Sequence, residues 1–503
     1  MGKRGVRDMG AGVGAHMSAS MSPVVQPLAP VSLLVALALT LAGCAPVGPD
    51  FLQPAAIVSP QYREIKGWKV ATPHAAEPKG QWWRVFRDAE LDRLENAVAV
   101  SNQTVKADEA NYREALALIN EAHAGLFPSI NGAASAMHSS PETRHSSAQT
   151  TLTAEGSGSW TLDIWGQVRR EIEAQAAGAE ASAANLANAT LAAQSSLALA
   201  YVTLREADSA EDLYARTVDD YKRSLAIAQN QYAAGTAAKS DVITAQAQVL
   251  NAQAQFIAAG VARAQSEHAI AALMGRPPSG LSIPHGALWS SIPSIPVGLP
   301  SSLLERRPDV AAAEEAMRQA NAQIGVAFAG YFPAISLSGL YGYSGDPWLG
   351  RLNSVDPVWS FGASLAQPVF NGGLTGAQVE AARETYQSEV ATYRQTVLTA
   401  IQQVENALSS IRILTREAKV QAEDVRISRQ ATQIALNEYR AGTQSFTTVV
   451  TNEAQQLSAE QNLLATQAQL QTAAVNLIVA LGGGWSQQQL PDALAQATES
   501  APR

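Results

Sequence analysis

Two hydrophobic periods alternate along this chain. From Gln167 to about Ala234, Ile172, Ala176, Ala179, Ala183, Leu186, Thr190, Ala193, Leu197, Ala200 and Leu204 follow alternating steps of four and three. That is the heptad seam of a helix packed lengthwise against others, and its mostly small members let neighbours approach closely. No proline interrupts the run. About 65 residues at ~1.5 Å each predict a rod of about 100 Å. A solvent-exposed coiled-coil stalk would show the same seam, so the seam alone establishes no tunnel.

Elsewhere the period is two. In residues 335–343 (ISLSGLYGY), Ile335, Leu337, Gly339, Tyr341 and Tyr343 share one face, with Ser336 and Ser338 on the other. In 359–368 (WSFGASLAQP), Trp359, Phe361, Ala363 and Leu365 alternate with Ser360, Gly362 and Ser364. Residues 151–164 set Leu152, Ala154, Trp160, Leu162 and Ile164 against Thr151, Thr153, Glu155, Ser157 and Ser159, and 130–138 alternates weakly. One apolar and one polar face suits a barrel strand between lipid and lumen. An ordinary half-buried sheet shows the same alternation.

The two patterns occur twice. Leu126-Phe127-Pro128 recurs as Tyr331-Phe332-Pro333, a shift of 205 residues. Asp163-Ile164-Trp165-Gly166 is echoed by Pro368-Val369-Phe370-Asn371, again 205, and Gly235-Thr236 by Gly442-Thr443, a shift of 207. A two-residue insertion accounts for the drift. Each copy therefore predicts a helix, two strands, a long helix, a Gly-Thr turn and a second long helix. Repeat 1 spans 81–275 and repeat 2 spans 301–484, joined by the Pro-rich linker 276–300, where six prolines forbid regular helix. Residues 485–503 read as a flexible polar tail.

Four strands per chain are too few to close a barrel, and open edges cannot sit in hydrocarbon. If these strands enter the membrane, several chains pool them. Two chains give eight strands, whose interior fills with side chains, whereas three give twelve and a water-filled lumen.

Composition agrees with long packed helices: hydrophobic residues make up 47% of the chain, but aromatics only 6% and charged residues 16%. A formal charge of -9 and the lack of a basic stripe argue against a nucleic-acid partner. Residues 31–41 (VSLLVALALTL) are apolar over signal-peptide length and end in LAGC, with Cys44 the only cysteine. Residues 1–43 thus resemble a lipoprotein signal peptide, the start being Met1, Met17 or Met21, and 44–80 a leader lipid-anchored through Cys44. Ala45 after the cysteine implies, by that resemblance, sorting to the outer membrane. Beyond residue 44 no run of 18 apolar residues follows.

Four stretches carry a further resemblance: CAPVGPDFLQP at 44–54, QWWRVFRDAELDRLENAVAVSN at 81–102, LLERRPDVAAAEEAMRQANAQIGVAFAGYFPAISLSG at 303–339 and SFGASLAQPVFNGG at 360–373. Together they are similar to the TolC-like outer-membrane factor family, in its NodT- or OprM-like lipoprotein branch. The resemblance covers nearly the whole mature chain. It implies an α+β membrane channel, a homotrimer whose 12-stranded β-barrel stands on an α-helical periplasmic tunnel. It implies a passive exit duct for small toxic compounds, fed by an inner-membrane RND (resistance-nodulation-division) pump and a periplasmic adaptor. The alternative is an outlet for a dedicated export or type I secretion system.

The family likeness also gives the Gly-Thr turns a role. Gly235, Thr236, Gly442 and Thr443 would form the adaptor-docking tips. Asp241 and Tyr439 match a periplasmic gate, in which the Asp bonds to the Tyr of a neighbouring chain. Where some members carry an Arg and two Asp that bind a cation, this chain has Gln444, Thr448 and Thr451, so no cation-blocked acidic ring is expected.

No HExxH, CxxC, GxSxG or phosphate-binding GK[ST] loop is present. His138 and His145 read as surface residues. The expectation is a protein with no catalytic or metal site and no cofactor beyond the covalent N-terminal lipid. A periplasmic adaptor would show one hairpin between β halves, and a coiled-coil spacer would have no use for amphipathic strands.

Overall fold

Asp88 caps the first long helical segment of the computed structural model, its carboxylate accepting from the backbone of Glu90 and Leu91. The structure describes residues 45–64, 81–139, 149–295, 297, 300–345 and 356–500. Cys44, the segment before it and His145 lie outside the described residues. The stretch 81–102 is a 3-10 turn, Trp82–Phe86, followed by α1 (Ala89–Ser101), and Asn102 then caps α2 (Gln103–Ala124) in the same way. Strands β1 (Ser129–Ser139) and β2 (Gln149–Leu162) lead into α3 (Gln167–Ala233) and α4 (Lys239–Leu273).

The second half repeats the order. α5 (Pro308–Ala329) starts with proline where the missing N–H costs nothing. β3 (Ala334–Gly345), β4 (Asp356–Ala366), α6 (Leu374–Arg440) and α7 (Phe446–Ala480) follow. α3 and α6 are each 67 residues long, about 100 Å at the ordinary helical rise. α3 buries more than its heptad seam, including Ala177, Ala184, Ala198, Tyr201 and Val202, because it packs against α4, α5, α2 and α7 at once. Across the described helices the lateral order is α4, α3, α7, α6.

The four strands form one antiparallel sheet in the order β1-β2-β3-β4. Its register puts every expected apolar position within the strands on a single face, Ile164 lying beyond the end of β2. Across the ladders Ala134 faces Ala154, Ala154 faces Tyr343, and Tyr343 faces Pro357. One step along, Gly156 faces Tyr341 and Tyr341 faces Trp359. Ile130, Leu152, Tyr341, Trp359, Phe361 and Leu365 stand on that face as exposed large side chains. The other face carries Ser129, Thr153, Glu155, Ser159, Ser336 and Ser364, interrupted by Met137, Leu340 and Val358.

The register corrects one repeat anchor. Trp160 donates its indole N–H to Leu126 O (3.0 Å), and Gln367 makes the matching bond to Tyr331 O (3.1 Å). The left-handed N-caps Gly166 and Gly373 also match. From β4 onward the shift is therefore already 207, Phe370 corresponds to Asp163, and Trp165 corresponds to Gly372. The ladders close at Ser139–Gln149 and Ser344–Asp356, so the two extra residues lie between β3 and β4.

The linker is irregular, as its prolines require, but it is stitched down. Ile283 and Pro284 carbonyls accept from Arg263 and Arg205 (2.7 Å each), and the Trp289 indole donates to Asp88 (3.0 Å). These bonds border the main core, where Leu91, Leu94, Tyr201, Leu204, Tyr393, Val397 and Leu477 meet. Within the tail, α8 (Ala493–Ser500) buries Ala493 and Ala497 against Ile119 and Ala179. Ala493 and Ala497, four residues apart, give this polar segment an apolar helical face that its composition concealed.

Candidate functional site

Both long hairpins end in the same turn. Gly235 and Gly442 each sit at φ 71°, a left-handed conformation that costs glycine nothing. Thr236 N–H reaches back to Gln231 O (2.9 Å) and Thr443 N–H to Glu438 O (3.0 Å). Each threonine hydroxyl donates to that same carbonyl at 3.0 Å. This closure from the second residue past the C-cap to the helix's last turn is the Schellman motif. The four sequence-predicted tip residues thus form two matching exposed loops.

The tips share a core. Ala228 of α3, Ala245 of α4, Ala435 and Tyr439 of α6, and Phe446 and Val449 of α7 pack into one buried cluster. Gln231 bridges the hairpins by donating to Arg440 O (2.9 Å). The Tyr439 hydroxyl donates to Asp241 Oδ2 at 3.3 Å, and its ring packs on Phe446 with centroids 5.1 Å apart. Asp241 and Tyr439 are therefore brought together, but within one chain. The two tips of a single chain face each other around their common core, and the expected bond to a neighbour's tyrosine concerns a contact between copies. Burial, then the charge and hydrogen bond of Asp241, push the tyrosine hydroxyl up to about 12, so it remains a donor at neutral pH.

Gln444, Thr448 and Thr451 lie beside the second tip. Gln444 accepts from Ser445 N–H (3.1 Å), Thr448 pairs with the Ser445 hydroxyl (3.3 Å), and Thr451 donates to Thr447 O (2.9 Å). All three side chains turn back onto their own segment.

One residue at this site escaped the sequence reading. Glu453 is buried in the seam between the hairpins, and Ser224 of α3 donates to its Oε1. A signal was present: Phe446, Val449 and Glu453 follow steps of three and four, which puts an acid at a heptad core position. Burial pushes this carboxyl up to about 7, with the Ser224 hydrogen bond pulling the other way.

Long hairpins with matching exposed tips, joined to a sheet with one greasy and one polar face, define an outer-membrane channel standing in the periplasm. The chain belongs to the outer membrane efflux protein family, whose model matches residues 94–276 and 299–483. It is 30% identical over 468 residues to the solvent efflux pump outer membrane protein SrpC of Pseudomonas putida, covering 90% of this chain and 97% of that one. It is 27% identical over 419 residues to the pyoverdine export outer membrane protein OpmQ of Pseudomonas aeruginosa, covering 80% and 87%. The solved outer-membrane channel OprN superposes with a TM-score of 0.79 at 28% identity, over 87% of this chain and 99% of that one. The protein is the outer-membrane exit duct of an efflux system, and not an enzyme. α7 is long and apolar enough to cross a membrane, but half of its most apolar window is buried inside the protein.

Proposed function

We propose that three copies assemble into one twelve-stranded barrel on a shared helical tunnel. At the paired tips, that tunnel would receive a periplasmic adaptor and a proton-driven RND pump. The observation that carries the assembly is that both layers stop at open edges. Among the described residues β1 and β4 each pair on one side only. The outermost helices carry exposed apolar residues at heptad spacing: Ile243, Leu250 and Ile257 on α4, and Ile413, Val420, Ile427 and Ile434 on α6. Within the chain α3 packs on α7, and the repeat makes α6 against α4 of a second copy the equivalent contact. Three copies rather than two leave an open lumen.

The repeat also fixes how the copies would pair. Carrying the β2–β3 register forward by 207 and 205 residues sets β4 antiparallel to β1 of the next copy. Leu365 then lies opposite Ala134 and Ala363 opposite Ala136, all on the apolar face. With Cys44→Ser as background, Ala134→Cys combined with Leu365→Cys should give a cross-linked ladder ending at three chains under a short bismaleimide. Ala134→Cys with Phe361→Cys, about 13 Å off register, should give little. Only single chains, or a ladder that passes three, would overturn the assembly.

The lipid anchor gains support from the leader. Val47 N–H donates to Trp165 O (3.0 Å), and Arg170 holds Val47 O (3.1 Å) and Asp50 (2.8 Å), which pins the leader beside the foot of the sheet. A lipid on Cys44, three residues earlier in the chain, suits a membrane surface there. In the gate reading, the Asp241–Tyr439 bond is worth about 1 kcal/mol, small enough for a docking adaptor to overcome.

We favour small, mostly amphipathic toxic compounds as cargo. One relative is named for solvent efflux and another for pyoverdine export, so the duct architecture itself selects little. In a deletion strain, a plasmid copy should restore growth on several unrelated dyes, detergents and antibiotics. Unchanged tolerance to all of them would favour a dedicated exporter.

A further inference from the structure

Three polar contacts tie hairpin 1 to hairpin 2 near the mouth: Gln231 to Arg440, Tyr439 to Asp241, and Ser224 to Glu453. The last differs from the others in being enclosed. Ser224 is 2% exposed and Glu453 is 5% exposed. Glu453 lies one helical turn beyond Val449, a member of the tip core, so it sits where the hairpins must part if the mouth is to widen.

Its surroundings offer no compensating charge. From α3 it meets Ser224, with Tyr221 also near enough to feel its charge. Tyr221 itself packs with Val249 and Ala252 of α4. From α6, Thr432 donates to Asn452 O (3.1 Å), and Arg429 is held by Glu460 (2.7 Å). On α3 the nearby Arg223 pairs with Asp220, and Lys222 with Asp219. No cation among the described residues pairs with Glu453. An ionised carboxylate in this seam is costly unless water reaches it, and water reaches it only if α7 moves away from α3.

Resting on the channel reading above, and deepening it, we propose that Glu453 is a proton-operated latch: protonated, it lets hairpin 2 stay packed on hairpin 1, and ionised, it drives the two apart and opens the mouth. The sign follows from the direction of its shift. Burial raises the carboxyl from an ordinary value of 4.5 to about 7 in the packed form. The packed form is therefore favoured most below about 4.5, loses ground as pH climbs to about 7, and changes no further above that. Across that window the opening equilibrium of each chain shifts by up to on the order of a hundredfold.

The test uses the purified full-length protein. In planar bilayers, open probability should rise between pH 4.5 and 7.5, and Glu453→Gln should hold it at the low-pH level throughout. Hydrogen exchange of residues 446–456, corrected for the intrinsic pH effect, should show wild-type protection falling over the same range and Glu453→Gln protection staying flat. Glu453→Asp, which keeps the titratable group, should retain a pH step. A Glu453→Gln protein with the wild-type pH step in both readouts overturns the latch, as does a pH-independent wild type. Because the seam lies within one chain, exchange reports on the latch even if cross-linking shows that the copies do not form a ring.

Discussion

Asp208→Ala is expected to destabilise the protein by about 3–5 kcal/mol, because it leaves a buried cation without its partner. Asp208 is fully buried and accepts from Arg205 (2.8 Å), Arg263 (2.8 Å) and the backbone of Gly286 (3.0 Å). Arg205 in turn donates to Tyr201 (2.7 Å), whose hydroxyl donates to Asp88 (2.8 Å), the cap of α1. One carboxylate thus locks α3 to α4, and both to the linker. Removing it should lower the thermal midpoint in detergent and expose Trp289 in the linker to chymotrypsin. Asp208→Asn, which keeps an acceptor but not the charge, should lose less. A Asp208→Ala protein that melts with the wild type and keeps its linker intact would show that this knot contributes nothing.

The same knot marks where sequence reasoning stops. Heptad steps from Ile172 to Leu204 and alternation in 335–343 reveal helix and strand directly, because those periods are imposed by backbone geometry. Gly235 and Gly442 reveal the turns because only certain residues adopt φ 71° without strain. Tertiary partners leave no such periodic trace. The Asp208 network joins residues scattered from Asp88 to Trp289, and six prolines in the linker announced irregularity without announcing attachment. The β4 offset was hidden because a two-residue slip preserves which face each side chain occupies. Similarity at Trp165 and Phe370 then suggested the wrong alignment. The chain also named Asp241 and Tyr439 together, and the fold brings them into contact within one chain. Glu453 was missed for a simpler reason: a glutamate on a long helix ordinarily faces water, and only its place in the heptad said otherwise.

The greasy face of the sheet permits the sharpest test of what surrounds it. Leu337 is the fourth of the twelve residues of β3, opposite Trp160 on β2 and Ala363 on β4, while its neighbour Ser338 points to the other face opposite Ser159. If the apolar face meets lipid, Leu337→Arg costs up to about 2–4 kcal/mol in each copy, since a cation in hydrocarbon has neither water nor counterion. Summed over three copies, a cost of up to about 6–12 kcal/mol exceeds or consumes the stability of an ordinary folded protein. Assembled channel should vanish from isolated outer membranes, as read by the loss of the heat-sensitive oligomer band. Ser338→Arg adds the same charge one residue away, yet faces an aqueous lumen and should leave that band in place with altered ion selectivity. An ordinary half-buried sheet would also reject the first and accept the second, so the altered ion selectivity of Ser338→Arg is what separates a barrel wall from it. Equal loss of assembly in the two variants would therefore remove the membrane-facing assignment, because register alone guarantees that the two side chains occupy opposite surfaces.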